Sequence, residues 1–244
     1  MVNLQCLYDW FKRYSQSFYN DDKNTMRGIL LKEKHSVRVA KNAVTLAQSI
    51  GFDSNRQIIA ETIGLFHDLA RYIQWSNFLS FNDAVTNFDH GEIGAEELRK
   101  TRILDELFLP PDQDVIFFAI RYHNKMTVPE ESLEKLTFAK LIRDADKLDI
   151  FRTLPPIQAD HNYSPILIDL LTAGQALPYS EVKTPADRRL VRLGWFYDIN
   201  FKWTLDQLVA EGYLEQLLSS LPEIVPFMEI RGNFKKYIAQ RSVV

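Results

Sequence analysis

The chain has 244 residues, 46% of them hydrophobic, which is enough to bury a substantial core in one large domain or two small ones. Its formal net charge is −3 and it has no block of basic residues, so a nucleic-acid polymer is not an expected partner. The single cysteine, Cys6, excludes an internal disulfide and a cysteine-rich zinc site.

The pattern of apolar residues favours helices throughout the chain. Only nine glycines occur, and the strict alternation that marks strands is rare, so we expect an all-α fold. No apolar run reaches the length of a membrane span, and the first residues lack the pattern of a secretory leader. These features predict a soluble, cytoplasmic protein without a membrane partner.

The first two predicted helices lead to a histidine. Apolar residues at three- and four-residue spacing predict an amphipathic helix over residues 3–20. A long helix over residues 25–50 follows, with Gly51 as its C-terminal stop. His35 lies near the buried stripe of this helix, and Arg38 lies one turn further along the same face.

The next helix begins at residues 53–55 and ends in the adjacent pair His67 and Asp68. Because Leu65 and Phe66 precede this pair, both polar groups are expected to enter an apolar interior. A buried carboxylate beside a buried imidazole costs several kcal/mol unless the two are paired or bind a metal ion. For an isolated pair, a simple hydrogen bond between them is the more common arrangement.

Three more elements are expected between Arg71 and His123. After Arg71 the helical pattern gives way to a loop with short helical turns at residues 74–88. His90 opens a helix, and a second one over residues 112–123 ends at His123.

The helix predicted over residues 130–148 ends among Asp144, Asp146 and Asp149. Carboxylates at a helix C-terminus oppose the macrodipole, so we expect a metal ion to compensate them.

The last third of the chain is rich in aromatic residues. Residues 157–184 are expected to be mostly loop, and helices follow from Pro185, including residues 205–221 and 222–238. This part carries no cluster of ionisable groups, and it is expected to pack on the earlier helices, or to shape a pocket or a homodimer face. Since no flexible linker is present, we predict one domain over residues 1–244, with residues 153–244 as a helical extension.

Four of the five histidines and two aspartates stand at positions where a bundle core is expected. These six candidate metal ligands are His35, His67, Asp68, His90, His123 and Asp146. Imidazole and carboxylate together suit iron, manganese, zinc, nickel or cobalt. Six such groups exceed the needs of one tetrahedral zinc ion and suit two ions bridged by a carboxylate, an arrangement that hydrolyses phosphate esters.

The order His, His-Asp, Asp within this set resembles the HD superfamily of metal-dependent phosphohydrolases. The local contexts are similar at residues 35–40, 64–68 and 143–149. His90, in His-x-x-x-Gly-Ala, and His123, in Tyr-His-Asn, look like the additional pair of the binuclear branch. The resemblance covers about residues 28–152 and implies an HD-type helical bundle with a metal-binding core.

The resemblance also implies a role for each candidate ligand. One ion would be held by His35, His67, Asp68 and Asp146, and a second by His90 and His123, with Asp68 as the bridge. Two divalent ions are implied, iron or manganese first, with zinc, nickel, cobalt or magnesium as alternatives. A water molecule between the ions, its pKa lowered by both, would be the nucleophile, which makes Asp68 a catalytic residue as well.

Polar residues near these positions are candidates for contacts with a substrate. Lys147 and Arg38 are the candidate catalytic cations, and Arg71, Lys147 and Asn124 are the candidate substrate-binding residues. The ordinary alternative for each is a solvated surface side chain. Asp149 is expected either to hydrogen-bond a ligand histidine or to form a salt bridge with Arg152.

The predicted function is a metal-dependent phosphohydrolase or phosphodiesterase that acts on a nucleotide or another small phosphate ester. Residues 124–129 read Asn-Lys-Met-Thr-Val-Pro, without a Gly-Tyr-Pro motif, so cyclic-di-GMP hydrolysis of the HD-GYP type is not expected. Di-iron oxygenases of the myo-inositol oxygenase type resemble the same six-ligand set, and the ligands alone do not separate the two classes. A regulatory module that binds metal or nucleotide without turnover is the third alternative.

Overall fold

A computed structural model describes residues 4–155, 157, 161–175 and 177–242. Within these ranges the chain forms α-helices and two short 3-10 turns without any strand, so the prediction of an all-α fold is confirmed. No helix in the same ranges is long and apolar enough to cross a membrane. The residues group into two compact units that meet between Asp149 and Ile150. The packing of residues 153–244 on the core stays a prediction.

The first unit contains seven helices and most of an eighth, which continues past Asp149. They are α1 (Leu4–Gln16), α2 (Lys23–Ser49), α3 (Ser54–Phe66), α4 (Ala70–Phe78), α5 (Asp83–Thr86), α6 (His90–Thr101), α7 (Pro110–Tyr122) and α8 (Leu133–Thr153). The contact between α2 and α3 is the most extensive in the unit, α7 packs on both α3 and α6, and α4 packs on α2 and α6.

Side-chain caps fix the start of the helices that carry the histidines. The carboxylates of Asp22, Asp53 and Asp89 each accept a backbone N–H from the first turn of α2, α3 and α6. Gly51 has a φ of +78°, in the left-handed region that glycine adopts at little cost, and it follows the end of α2 as predicted.

α3 approaches α2 closely because Gly64 has no side chain. A Cβ atom at Gly64 would lie 2.6 Å from the Cα atom of Ala40. The two helices therefore meet backbone to backbone, and this contact joins the helix that carries His35 to the helix that ends before His67.

Two predictions about helix boundaries are wrong. Residues 70–78 form α4, a regular helix that buries Ala70, Tyr72 and Gln74, where a loop was expected from residue 74. α8 runs to Thr153, so the three aspartates predicted at its C-terminus lie inside the helix. The expected conflict with the macrodipole is therefore absent, because this effect is confined to the last turn of a helix.

The second unit contains five helices beyond the end of α8. They are α9 (Pro165–Thr172), α10 (Asp187–Gly194), α11 (Lys202–Ala210), α12 (Tyr213–Ser219) and α13 (Val225–Ser242), with 3-10 turns at Tyr179–Glu181 and Trp195–Asp198. α10 packs on α9 and α12, and α13 packs on α9. Gly212, with a φ of +79°, divides residues 205–221 into α11 and α12, where one helix was expected.

A buried carboxylate holds the start of α10. Asp187 has no exposed surface. Its oxygens accept hydrogen bonds from the backbone N–H and the hydroxyl of Ser164, both at 2.7 Å, and from the N–H groups of Lys183 and Thr184, both at 2.9 Å. Burial raises the pKa of Asp187, but these donors favour the charged form and the net effect is a pKa below the usual value.

Candidate metal centre

The six predicted ligands come from five segments of the first unit and lie together. They are His35 in α2, His67 and Asp68 directly after α3, His90 at the start of α6, His123 directly after α7, and Asp146 in α8. All are buried except Asp146, whose side chain is 22% exposed. The structure thus brings together side chains that are up to 111 residues apart in the chain.

Four of these residues form one group. Nε2 of His35 lies 3.0 Å from Oδ1 of Asp146 and 3.4 Å from Oδ2 of Asp68. Nε2 of His67 lies 3.4 Å from the same oxygen of Asp68 and 3.8 Å from that of Asp146. Both Nε2 atoms are buried without a hydrogen-bond partner among the described residues. An unsatisfied buried nitrogen is costly, and a cation within the group would satisfy both, so the residues fit a divalent ion.

His90 and His123 face the other oxygen of Asp68. Their Nε2 atoms lie 3.6 Å and 3.9 Å from Oδ1 of Asp68, and 3.1 Å from each other. Burial keeps the pKa of both imidazoles below the usual value, which leaves them neutral, as metal ligands must be. Asp68 thus turns one oxygen towards His35 and His67 and the other towards His90 and His123.

Two of the histidines are oriented by carbonyls at helix ends. Nδ1 of His67 donates to the carbonyl of Gly64 at 2.8 Å, and Nδ1 of His123 donates to the carbonyl of Ile120 at 2.7 Å. The last carbonyls of a helix have no partner within it, so they are available for such contacts. A proton on Nδ1 leaves the lone pair on Nε2, which points into the cluster.

The other two histidines are oriented by carboxylates. Nδ1 of His35 lies 2.7 Å from Asp149, and Nδ1 of His90 lies 2.5 Å from Asp83. Arg38 in turn binds Asp149 through Nε at 2.6 Å and Nη2 at 2.9 Å. A carboxylate behind a ligand histidine fixes its tautomer and raises its basicity. The hydrogen bond that was predicted between Asp149 and a histidine of the cluster is present, and His35 is that histidine.

The carboxylates around His35 make its imidazole unusually basic. Burial and the ammonium of Lys32 lower its pKa, but the carboxylates of Asp146, Asp149 and Asp68 outweigh them and raise the pKa to about 10. Without a metal ion, this concentration of negative charge therefore favours a proton on His35. A divalent cation would neutralise the same carboxylates and take the place of that proton.

Asp83 is a residue of this site that the sequence did not reveal. Oδ1 of Asp83 accepts hydrogen bonds from Arg71 at 2.7 Å and Gln74 at 3.1 Å, and Oδ2 accepts one from Asn124 at 3.2 Å. Burial raises its pKa, but His90 and Arg71 more than offset this and the net pKa lies below the usual value. Asp83 lies in residues 74–88, which were expected to form a loop. Only its position seven residues before His90 could have indicated that it belongs to the site.

Two cations contact Asp68 directly. Nζ of Lys32 lies 2.5 Å from Oδ2 of Asp68, and Nε of Arg71 lies 3.5 Å from Oδ1. Burial of Asp68 raises its pKa, but Lys32, His67 and Arg71 outweigh the burial and hold the pKa well below the usual value. Arg71, one of the predicted substrate-binding residues, therefore lies at the cluster.

The other predicted substrate and catalytic residues differ in position. Arg38 and Asn124 contact the carboxylates that stand behind His35 and His90, rather than the Nε2 side of the cluster. Lys147 is half-buried and follows Asp146 in α8.

Residues 33–150 match the family model of the HD domain, a range that includes all six clustered residues. Members of this family are generally metal-dependent phosphohydrolases, and their domains bind divalent metal ions. No curated protein and no solved structure matches the chain. The matched range and the convergence of its histidines and aspartates lead to one conclusion: residues 33–150 of the chain are an HD domain.

Proposed function

We propose that the protein is a phosphohydrolase or phosphodiesterase that acts on a small phosphate ester, with nucleotides as the favoured class. The observation that carries the proposal is the division of Asp68 between two pairs of histidines. Its Oδ2 lies 3.4 Å from Nε2 of both His35 and His67. Its Oδ1 lies 3.6 Å and 3.9 Å from Nε2 of His90 and His123.

Two divalent ions would be held by these residues. His35, His67, Asp68 and Asp146 would hold the first, and His90 and His123 the second, with Asp68 shared. Imidazole and carboxylate without thiolate favour iron or manganese over softer metals. When bound, such a pair of ions supplies an activated water molecule and neutralises charge on phosphoryl oxygens.

The surrounding residues would orient the ligands and the substrate. Arg71 is anchored by Asp83 through one nitrogen and faces Asp68 with another, so it would place positive charge beside the phosphate. Lys147 would add a second positive charge. Arg38 and Asn124 would act as positioning residues, because their contacts are with the carboxylates that hold His35 and His90.

The test begins with metal analysis of anaerobically purified protein, where we expect two ions per chain. The protein loaded with Mn(II) or Fe(II) is then assayed with bis-p-nitrophenyl phosphate, cyclic nucleotides and nucleoside triphosphates, and release of phosphate or nucleoside monophosphate is expected. Asp68→Asn keeps the shape of the side chain and should abolish this release. The exposed Asp21, changed to Asn, is the matched control and should leave it unchanged.

Two results of these assays would contradict the proposal and favour an alternative function. Oxygen uptake by the iron-loaded protein with an organic substrate, without release of phosphate from any ester, would indicate an oxygenase. Tight binding of a nucleotide that stays intact through prolonged incubation with Mn(II) or Fe(II) would indicate a regulatory module.

A further inference from the structure

A cavity of about 310 Å³ lies within the second unit and contains none of the clustered metal-site residues. It is lined by the end of α8, by α10 and the 3-10 turn that follows it, and by α12. Small-molecule sites in proteins have volumes of roughly 300–1,000 Å³. The cavity is therefore large enough for a ligand of one or two rings, and it is too small for a dinucleotide.

The apolar lining of the cavity includes three aromatic rings. The apolar lining residues include Phe151, Leu154, Trp195, Tyr213 and Leu217. The rings of Phe151 and Trp195 meet edge to face at 5.7 Å, and those of Phe151 and Tyr213 lie 5.9 Å apart. Rings that hold one another in place offer a rigid surface for a flat apolar ligand.

Guanidinium groups line the same cavity. They belong to Arg152, Arg189 and Arg192. Arg152 forms an ion pair with Glu211 and is thereby neutralised. Arg189 is buried and donates to the hydroxyl of Tyr163 at 2.9 Å. An arginine stays charged even when it is buried, so the cavity contains fixed positive charge.

Arg192 is the cation best placed to meet a ligand. Its Nη1 donates to the carbonyl of Pro155 at 2.8 Å, which is a neutral partner. Burial lowers its pKa and the nearby Arg188 adds to this, while Tyr179 raises the pKa and offsets only part of the effect. Arg192, Leu154 and Trp195 also line a second cavity of about 170 Å³, which Arg188 lines too. A half-buried guanidinium beside a like charge would be stabilised by an anion.

We propose that this cavity binds a small organic anion, with a flat apolar body against Phe151 and Trp195 and an acidic group on Arg192. A carboxylate, sulfonate or phosphate would each satisfy the guanidinium, because all three accept paired hydrogen bonds from it. The ligand would make no contact with the residues assigned to the metal ions, so this site is independent of the proposed hydrolysis.

The probe for this site is 8-anilino-1-naphthalenesulfonate, which joins two ring systems to a sulfonate and contains no phosphate ester. With the full chain, we expect saturable binding at one site per chain. The increase in the fluorescence of the dye measures this binding. Arg192→Ala should weaken this binding at least tenfold, and Arg192→Lys should retain much of it. Arg27→Ala removes an exposed arginine and should have no effect.

The neutral dye N-phenyl-1-naphthylamine has the same two ring systems without the sulfonate. It therefore distinguishes the contribution of the charge to binding from that of the rings. We expect it to bind the protein and the Arg192→Ala variant equally. Equal affinity of the sulfonate dye for the unchanged protein and for Arg192→Ala would overturn the proposal. An equal loss of affinity for both dyes in Arg192→Ala would also overturn it. Gln216 is exposed and lines the cavity, so Gln216→Trp should fill it and displace both dyes without a change in the melting temperature. Binding that survives this change would show that the dyes bind elsewhere.

Discussion

Each unit contains a buried aspartate with a lowered pKa, and the two carboxylates are satisfied in opposite ways. Asp187, in the second unit, accepts four hydrogen bonds from two backbone segments and a serine hydroxyl. Asp68, in the first unit, faces imidazole nitrogens, and two of them, on His35 and His67, have no hydrogen-bond partner among the described residues. The contrast distinguishes a carboxylate whose hydrogen bonds are complete within the fold from one that pairs with Lys32 and also lies beside buried nitrogens without a hydrogen-bond partner.

The largest expected effect comes from removing Asp68. Because it is shared by both groups of histidines, Asp68→Ala should reduce metal content from two ions per chain to nearly none, and lower turnover on the order of 1,000-fold. His90→Ala should deplete the second ion and retain the first. Metal analysis of the two variants checks this, and equal retention of both ions in either one would contradict a shared bridge.

Asp187→Asn should lower the stability of the second unit without changing the metal content. An amide cannot replace a carboxylate that accepts four donors, so we expect a loss of roughly 2–4 kcal/mol in the stability of the second unit. Metal content should stay at that of the unchanged protein. Urea unfolding monitored by hydrogen exchange in α9 and α10 measures the effect. If metal content falls as well, the two aspartates do not have separate roles.

The stabilisation by Asp187 should also depend on pH. Its pKa in the folded protein lies below that of the unfolded chain, which is about 3.9 for an aspartate. Its contribution is therefore complete above that value and is lost as the pH falls through the folded pKa. Urea midpoints measured from pH 6 down to pH 2 should fall more steeply for the unchanged protein than for Asp187→Asn, and parallel curves would contradict this.

The carboxylates behind the histidines should have intermediate effects. Asp149→Asn should weaken metal binding by about 10–100-fold, since it removes the charged partner of His35. Arg38→Ala should weaken it less, because Arg38 acts through Asp149. Competition with a chelator of known affinity measures both, with Arg27→Ala as the exposed control. If Arg38→Ala lowers turnover more than it lowers metal affinity, the result would support the catalytic role that the sequence predicted for Arg38.

The smallest effect tests the packing of α2 on α3. Gly64→Ala would place a methyl group 2.6 Å from the backbone of Ala40, so we expect a loss of about 1–3 kcal/mol. Gly232 in α13 has open space around the same position, and Gly232→Ala should stabilise by about 0.5–1 kcal/mol. Thermal unfolding of the two variants gives the comparison, and the same sign for both would show that the close approach is not required.

The sequence predicted the all-α fold and the six clustered residues because both leave local signals. Helices leave a period of apolar residues, and histidines such as His35 and His123 stand at recognisable places within it. Asp83 left no such signal, since its contacts with Arg71 and His90 form only in the folded chain. The cavity joins residues from three helices and a turn, and only the folded chain brings Phe151 and Arg192 together.

The carbonyls of Gly64 and Ile120 lie in the last turns of α3 and α7, and each accepts a hydrogen bond from an imidazole of the cluster. Terminal turns ordinarily fray at little cost. Here, unwinding the end of α3 or of α7 would rotate His67 or His123 away from the cluster. Fraying of either helix end would therefore also remove an imidazole from the cluster. An ion bound by these imidazoles would fasten both termini at once, and slow exchange of their amide protons would report its presence.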